Sequence, residues 1–296
     1  MRIVTLAPTT LESSTVAGST YDEYNPATTY AEGANVKVTE SNGYENEYES
    51  LVADNEGNTP ATSPSSWLHL GASNKYRMFD DYANTQTEDT VDIDVSVDST
   101  RTDLVGLFRL VGSSVTLQQI YDSAVVAETT IDLRELPQPG WFNWLYSEYE
   151  FKEDIVWQYP RYVGSTLSVE ITATGGAAAC GKMSVGKIIN LGATIYGVSI
   201  GIDDYSIKDT DSFGRTFLKQ GNYAERANIQ IILDNSQVDR VKRQLTKIRG
   251  TPCIFDCNEE GTHFESLIIY GFYRNFDVTI PGPSHSQCNI EIGGLI

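Results

Sequence analysis

Between residues 89 and 98, Val91, Ile93, Val95 and Val97 alternate with Asp92, Asp94, Ser96 and Asp98. Successive side chains leave a pleated strand on opposite sides, so this period of two marks a β-strand with one face in a core and the other in water. Such a strand is stable only beside others. Further strands are expected at residues 104–111, 115–121, 125–133, 149–157, 167–173 and 186–191, separated by turn residues and with no amphipathic helix between them. Short strands in succession predict a β-sandwich of the jelly-roll type over residues 73–192.

The flanks read differently. Residues 1–20 form an N-terminal arm, and residues 21–72, dense in Tyr, Asn, Gly, Thr and Pro, read as a small β-module with strands near 36–38 and 48–52. A loop-rich unit of that size without cysteines has little core of its own, which makes Trp67 its natural packing centre. Past Gly192 the pattern changes to an α+β unit over 193–296. Its 195–202 stretch is apolar, 203–221 is polar and loop-like, and strands are expected at 228–233, 253–256, 267–273, 276–280 and 287–292. The one prominent helix has Val238, Val241, Leu245 and Ile248 on a single face, Asn235 or Ser236 as its cap, Gly250 at its end and Pro252 beyond; it should pack on a sheet. The fold class is mainly β.

With a net charge of −19 over 296 residues, the chain is a poor partner for nucleic acid, whose phosphates reward clustered cations. Residues 1–72 alone carry ten carboxylates against Arg2 and Lys37. No apolar run approaches the length of a membrane span, and residues 1–18 lack the apolar stretch of a signal peptide, so no membrane insertion is expected. The four cysteines (Cys180, Cys253, Cys257, Cys288) are expected as reduced thiols in a cytoplasm.

Material for catalysis is thin. There are three histidines, His69, His263 and His285, and no nucleophile-elbow, phosphate-loop, zinc-protease or dinucleotide motif; no catalytic residue and no cofactor is expected. Cys253 and Cys257, with His263 and Cys288, have zinc-ligand chemistry, but Cys-x-x-x-Cys on a strand equally describes two buried thiols, and no metal site is assigned. Asp209 and Asp211 followed by Gly214 begin like a calcium loop, yet Phe213 and Gln220 occupy ligand positions. Asp92, Asp94 and Asp98, with the doublets Asp80-Asp81 and Asp203-Asp204, offer carboxylates for glycoside hydrolysis or simply a solvated surface. Arg240, Lys242, Arg243, Lys247 and Arg249 put a positive stripe on the helix of an acidic chain, which reads either as an assembly interface with an acidic neighbour, such as another copy, or as a solvated face. Two aromatic clusters, Trp141, Phe142, Trp144 and Tyr146, then Tyr149, Phe151, Trp157 and Tyr159, suit core packing, a sugar-stacking surface or an interface.

Tyr24-Asn25-Pro26, Tyr30-x-x-Gly33-x-x-Val36, Tyr48, Asn58-x-Pro60 and Trp67 resemble the small carbohydrate-binding modules of families 5 and 12, of the chitin-binding type, over about 50 of the 296 residues. The loop 52–60 differs, having no tryptophan where sugar-binding members often expose one. The resemblance implies carbohydrate contacts at Tyr24, Tyr44, Tyr48 and Trp67, with Tyr24 and Tyr44 as the stacking candidates. The continuation, Ser63-Pro64-x-x-Trp67-Leu68-x-Leu70-Gly71-x-x-Asn74-Lys75-Tyr76-x-Met78-Phe79-Asp80, is similar to a junction in tail proteins of tailed bacteriophages. So are Leu245-x-x-Ile248-Arg249-Gly250-x-Pro252, Tyr270-Gly271-Phe272 and the end Cys288-x-Ile290-x-Ile292-x-Gly294-Leu295-Ile296. That likeness implies a virion structural protein of a tail, baseplate or tail tip, made in the host cytoplasm and assembled as a homo-oligomeric ring with other tail proteins. It also implies contact with host surface polysaccharide; the alternative role is a carbohydrate-binding adhesin with no main structural part.

Overall fold

The computed structural model describes residues 1–82, 84–135, 140–146, 150–258 and 264–295. The protein is mainly β, with several antiparallel sheets, one of them curled into a half-barrel. The largest sheet runs Ile155–Gln158, Leu104–Phe108, Lys182–Asn190, Arg2–Leu6, Cys253–Asp256, Ile268–Thr279, His285–Gly294, Tyr223–Asp234 and Ala193–Thr194, and Ser199–Asp204 also pairs with Tyr223–Asp234. A five-stranded sheet orders Ala124–Asp132, Ser114–Tyr121, Thr166–Thr172, Ile93–Asp98 and Leu11–Ser14.

The alternating strand begins at Ile93 rather than at 89, because Thr87–Asp89 pairs separately with Ala178–Cys180 and Val91 is left exposed. From Ile93 the pattern holds: Ile93, Val95 and Val97 lie opposite Ile171, Val169 and Leu167 on the next strand. All six are buried, together with Val105, Leu107, Ile155, Met183 and Val185 of the large sheet. Two sheets thus close on one core, and each fully buried branched side chain adds about 1.5–3 kcal/mol.

The first residues enter the largest sheet. Arg2–Leu6 is an interior strand between Lys182–Asn190 and Cys253–Asp256, with Ile3 in one core and Val4 in the core on the opposite face. A strand buried on both faces reads as a continuous apolar run, and the short Ile3-Val4 pair is too brief to announce itself that way. The same sheet also runs across the 192/193 position, joining 104–108, 155–158 and 182–190 to the strands after 193.

The predicted helix is Val238–Lys247; Val241, Leu245 and Ile248 pack on Ile229, Ile231, Phe255 and Ile290. No side chain caps its start. Asn235 instead donates to the Gly282 carbonyl (2.9 Å) and accepts from Ser286 Oγ (2.6 Å), tying the helix entrance to the turn at 280–284. A short helix absent from the sequence reading, Trp141–Tyr146, interrupts the middle of the chain. The N-terminal module is a three-stranded sheet of Asn35–Thr39, Glu45–Ser50 and Trp67–Ala72.

Candidate functional site

The aromatic residues expected to hold a sugar are brought together, but inward. Trp67 and Tyr48 are 2% and 8% exposed, and with Val36, Val38, Tyr24 and Tyr30 they are the module's core. Half-buried Tyr24 stacks on Tyr30 with centroids 5.8 Å apart and meets Trp67 edge-on at the same distance, while Trp67 Nε1 donates to the Asn58 carbonyl (2.8 Å). A three-stranded sheet of this size has little else with which to exclude water. Tyr44 is separate from this cluster. Its hydroxyl donates to Thr9, and its ring packs on Tyr76 and Phe79, in the seam between module and sandwich.

Of the carboxylates considered for hydrolysis, Asp80, Asp92, Asp98, Asp203 and Asp204 have structural partners. Asp92 accepts the Ala173 amide (2.7 Å), Asp98 the Thr100 amide (2.8 Å), and Asp80 the Tyr82 amide and Thr85 hydroxyl (both 2.8 Å). Asp203 pairs with Arg274 at 2.6 Å, and Asp204 with Lys208 at 2.6 Å. Asp211 accepts the amides of Phe213 (2.9 Å) and Arg215 (2.8 Å), which closes a tight turn with Gly214 at φ +81°. Burial pushes the Cys253 and Cys288 thiols up to about 11, and Cys257 is raised as well; all three lie in the core beneath the helix. His263 lies outside the described residues, His69 sits 5.0 Å from the Tyr48 ring, and His285 Nδ1 lies 2.7 Å from Ser284 Oγ. Among the described residues no group of three or more His, Cys, Asp or Glu is placed to hold a metal.

The two aromatic clusters lie apart. In the second, Tyr159 is buried, Trp157 packs beside it in the sandwich core and Phe151 is exposed; in the first, Trp141, Phe142 and Tyr146 are exposed; Tyr149 and the Trp144 side chain lie outside what is described. On the prominent helix Arg240, Lys242, Arg243, Lys247 and Arg249 are all exposed, and none forms an ion pair among the described residues.

The segment read as a polar loop, 203–221, is instead a β-arm. Ser199–Asp204 pairs with 223–228, and Ile207–Thr210 pairs with Thr216–Lys219. The Tyr205 amide donates to the Asn222 carbonyl (3.0 Å), joining the two ladders. Every residue of the outer two strands is exposed. Apolar side chains stud it on both sides: Ile200, Ile202, Tyr205, Ile207 and Phe217, with Leu218 74% exposed and Phe213 at the tip 88% exposed. The overlooked signal is the spacing of Ile200, Ile202 and Ile207 with Phe217 and Leu218 around the Asp211–Gly214 turn.

Two cavities flank the arm's root. One, of ≈ 330 Å³, is lined by Tyr196, Val198, Ile200, Cys257, Phe264 and Leu267 among others, and none of its described lining residues is charged. The other, of ≈ 350 Å³, gathers Arg109, Glu153, Asp154, Glu225 and Glu265. Asp154 accepts the Arg109 amide (2.9 Å) and holds Arg109 at φ +53°, a left-handed conformation uncommon for a side chain of that size. Burial, opposed by that amide and reinforced by Glu153, pushes Asp154 up to about 6. Burial and then Asp154 push Glu225 up to about 7. No sequence pattern links these residues, which come from four separate strands or turns.

No protein-family model matches the chain, and no curated protein is significantly similar to it.

Proposed function

We propose that the chain is a virion structural protein of a phage tail, baseplate or tail tip, working by contact with neighbouring subunits and catalysing no reaction. The observation that carries this reading is the 199–228 arm: its root pairs into the large sheet, but its outer hairpin, Ile207–Thr210 with Thr216–Lys219, pairs with no other described strand, and an isolated two-stranded hairpin is marginal in water, yet this one exposes large apolar side chains on both faces. Such an element is stabilised when another chain covers it. The exposed basic stripe on an acidic chain supports the same kind of work, offering a steering surface for an acidic neighbour. The sequence likeness to tail proteins supplies the setting, with synthesis in the host cytoplasm and a place in a ring beside other tail proteins.

In this reading residues 21–72 are the small β-module, 73–192 the jelly-roll-like sandwich and 193–296 the α+β assembly unit, the last two sharing the large sheet. Sugar contact has less support, since Tyr48 and Trp67 are buried, Tyr24 is half-buried among them and Tyr44 packs in a seam. The test is immunogold labelling of tailed particles with an antibody to this chain. Label at one end of the tail is the expected result, and particles without label overturn the proposal. Retention of the purified chain on chitin, lost in Tyr24→Ala, would instead favour an adhesin.

A further inference from the structure

The two ends of the largest sheet meet at a group of carboxyls. Leu104–Phe108 and Tyr223–Asp234 stand six places apart in the strand order, which in a flat sheet would separate them by about 29 Å. The curl removes that distance. Phe108 lies 5.5 Å from Tyr270 of Ile268–Thr279, centroid to centroid. The ≈ 350 Å³ cavity is lined by Phe108, Arg109, Glu153 and Asp154 from one end of the sheet and by Tyr223 and Glu225 from the other. Phe108 and Tyr270 belong to the apolar core inside the curl, with Val4, Leu104, Ile254 and Ile268.

The two sides are not held equally. Tyr223–Asp234 is paired along both edges, with His285–Gly294 on one and Ser199–Asp204 on the other. Ile155–Gln158 is the first strand of the sheet and, among the described residues, pairs with Leu104–Phe108 alone. The segment before it is tied down by the Lys152 amide on the Leu133 carbonyl (2.8 Å), the Leu110 amide on the Glu153 carbonyl (2.8 Å) and the Arg109 amide on the Asp154 carboxyl (2.9 Å). The 151–158 edge is therefore the side that can move.

Charge supplies the force. Glu153, Asp154, Glu225 and Glu265 line the cavity with Arg109, while Lys152 and Glu135 act on Glu265 from beside it. The Cys180 thiol, which burial pushes up to about 12 with Asp154 adding to the effect, and the Tyr270 phenol, raised by burial, stay neutral over ordinary pH. Once all ionise, five carboxylates face two cations where burial has reduced screening by water. Asp154 and Glu225 come from opposite ends of the sheet, so their repulsion acts across the meeting of those ends.

We propose that residues 151–158 act as a latch worked by protons. With Asp154 or Glu225 protonated, the edge closes over the cavity. With both ionised, it parts from the 223–234 strand, breaks its bonds to the Arg109 and Leu110 amides and uncovers Phe108 and Tyr270. The latch does not rest on the assembly reading.

The test is hydrogen exchange of the full chain at about pH 5 and about pH 8, between which both carboxyls ionise, with rates corrected for the pH dependence of free amides. On going to the higher pH, protection of the Arg109 and Leu110 amides is expected to fall at least about tenfold more than protection along His285–Gly294, one pKa unit being a tenfold change in population. Asp154→Asn with Glu225→Gln should abolish that difference, since Asn still offers an oxygen to the Arg109 amide. Glu225→Gln alone leaves the Asp154 bond in place and should remove most of it, which serves where the double variant does not fold. A fall shared equally with His285–Gly294 would mean that the whole fold loosens and no latch exists. Unchanged protection at Arg109 and Leu110, or a fall that persists in the variants, overturns the inference as well.

Discussion

The Tyr44 hydroxyl donates a hydrogen bond of 2.9 Å to the carbonyl of Thr9, joining the N-terminal module to the strand entrance of the sandwich. The ring beside it lies 5.0 Å from Tyr76. Burial, then the neighbouring Tyr76, push this phenol up to about 12, which keeps it a donor over all ordinary pH. Tyr44→Phe should cost about 1 kcal/mol, the net worth of one hydrogen bond, and Tyr44→Ala about 3 kcal/mol through lost packing. Urea denaturation measures both. Equal small losses in the two variants would show that the seam carries no packing energy.

Asp154 and Glu225 titrate abnormally high, to about 6 and about 7, so the folded chain holds protons that the unfolded chain has released from about pH 4 upward. Their contribution is fully present below the ordinary carboxylate range and is lost as pH rises through 6 to 7. Glu45, whose carboxyl is held low by the Ser19 amide, Lys37 and Ser73 against the burial that would raise it, acts oppositely but only at pH near 4 and below. Stability is therefore expected to fall as pH rises from about 4 to about 7, by up to about 6 kcal/mol. Asp154→Asn with Glu225→Gln should flatten that slope in a series of denaturation midpoints. An unchanged slope would refute the assignment.

Gly271 has no room for a side chain: a Cβ there would stand 2.1 Å from the Gly293 carbonyl oxygen, across the pair of long strands that bear the second core. Backbone on the neighbouring strand cannot move aside cheaply, so Gly271→Ala should cost about 2–3 kcal/mol. Gly282, with nothing within 4 Å of its Cβ position, is the control, and Gly282→Ala should leave the midpoint near wild type.

The cations on the helix face are exposed and form no ion pair among the described residues, so removing them should not touch the fold. Arg243→Ala with Lys247→Ala is expected to change unfolding free energy by no more than about 0.5 kcal/mol. A larger loss by chemical denaturation would mean that these side chains cover the apolar face beneath them.

Sequence alone was sufficient wherever one element's pattern is decided by a single water–core boundary. The Ile93–Asp98 strand and the Val241–Leu245–Ile248 helix face were legible because each has one wet side and one dry side, and burial follows period two or three to four. Trp67 was legible as a centre because a small module must fill its core with what aromatic material it has. Tertiary structure decided the rest. Arg2–Leu6 is interior because strands pair along both its edges and Ile3 and Val4 enter different cores, which no local period records. The 203–221 segment is paired rather than looped because its pairing partners lie across a turn, and the apolar residues of its outer strands are left uncovered. The Asp154 and Glu225 carboxyls are strange because distant strands crowd them around Arg109 in one cavity. Local chemistry sets which side of an element faces water, and only the assembled fold sets what stands opposite it.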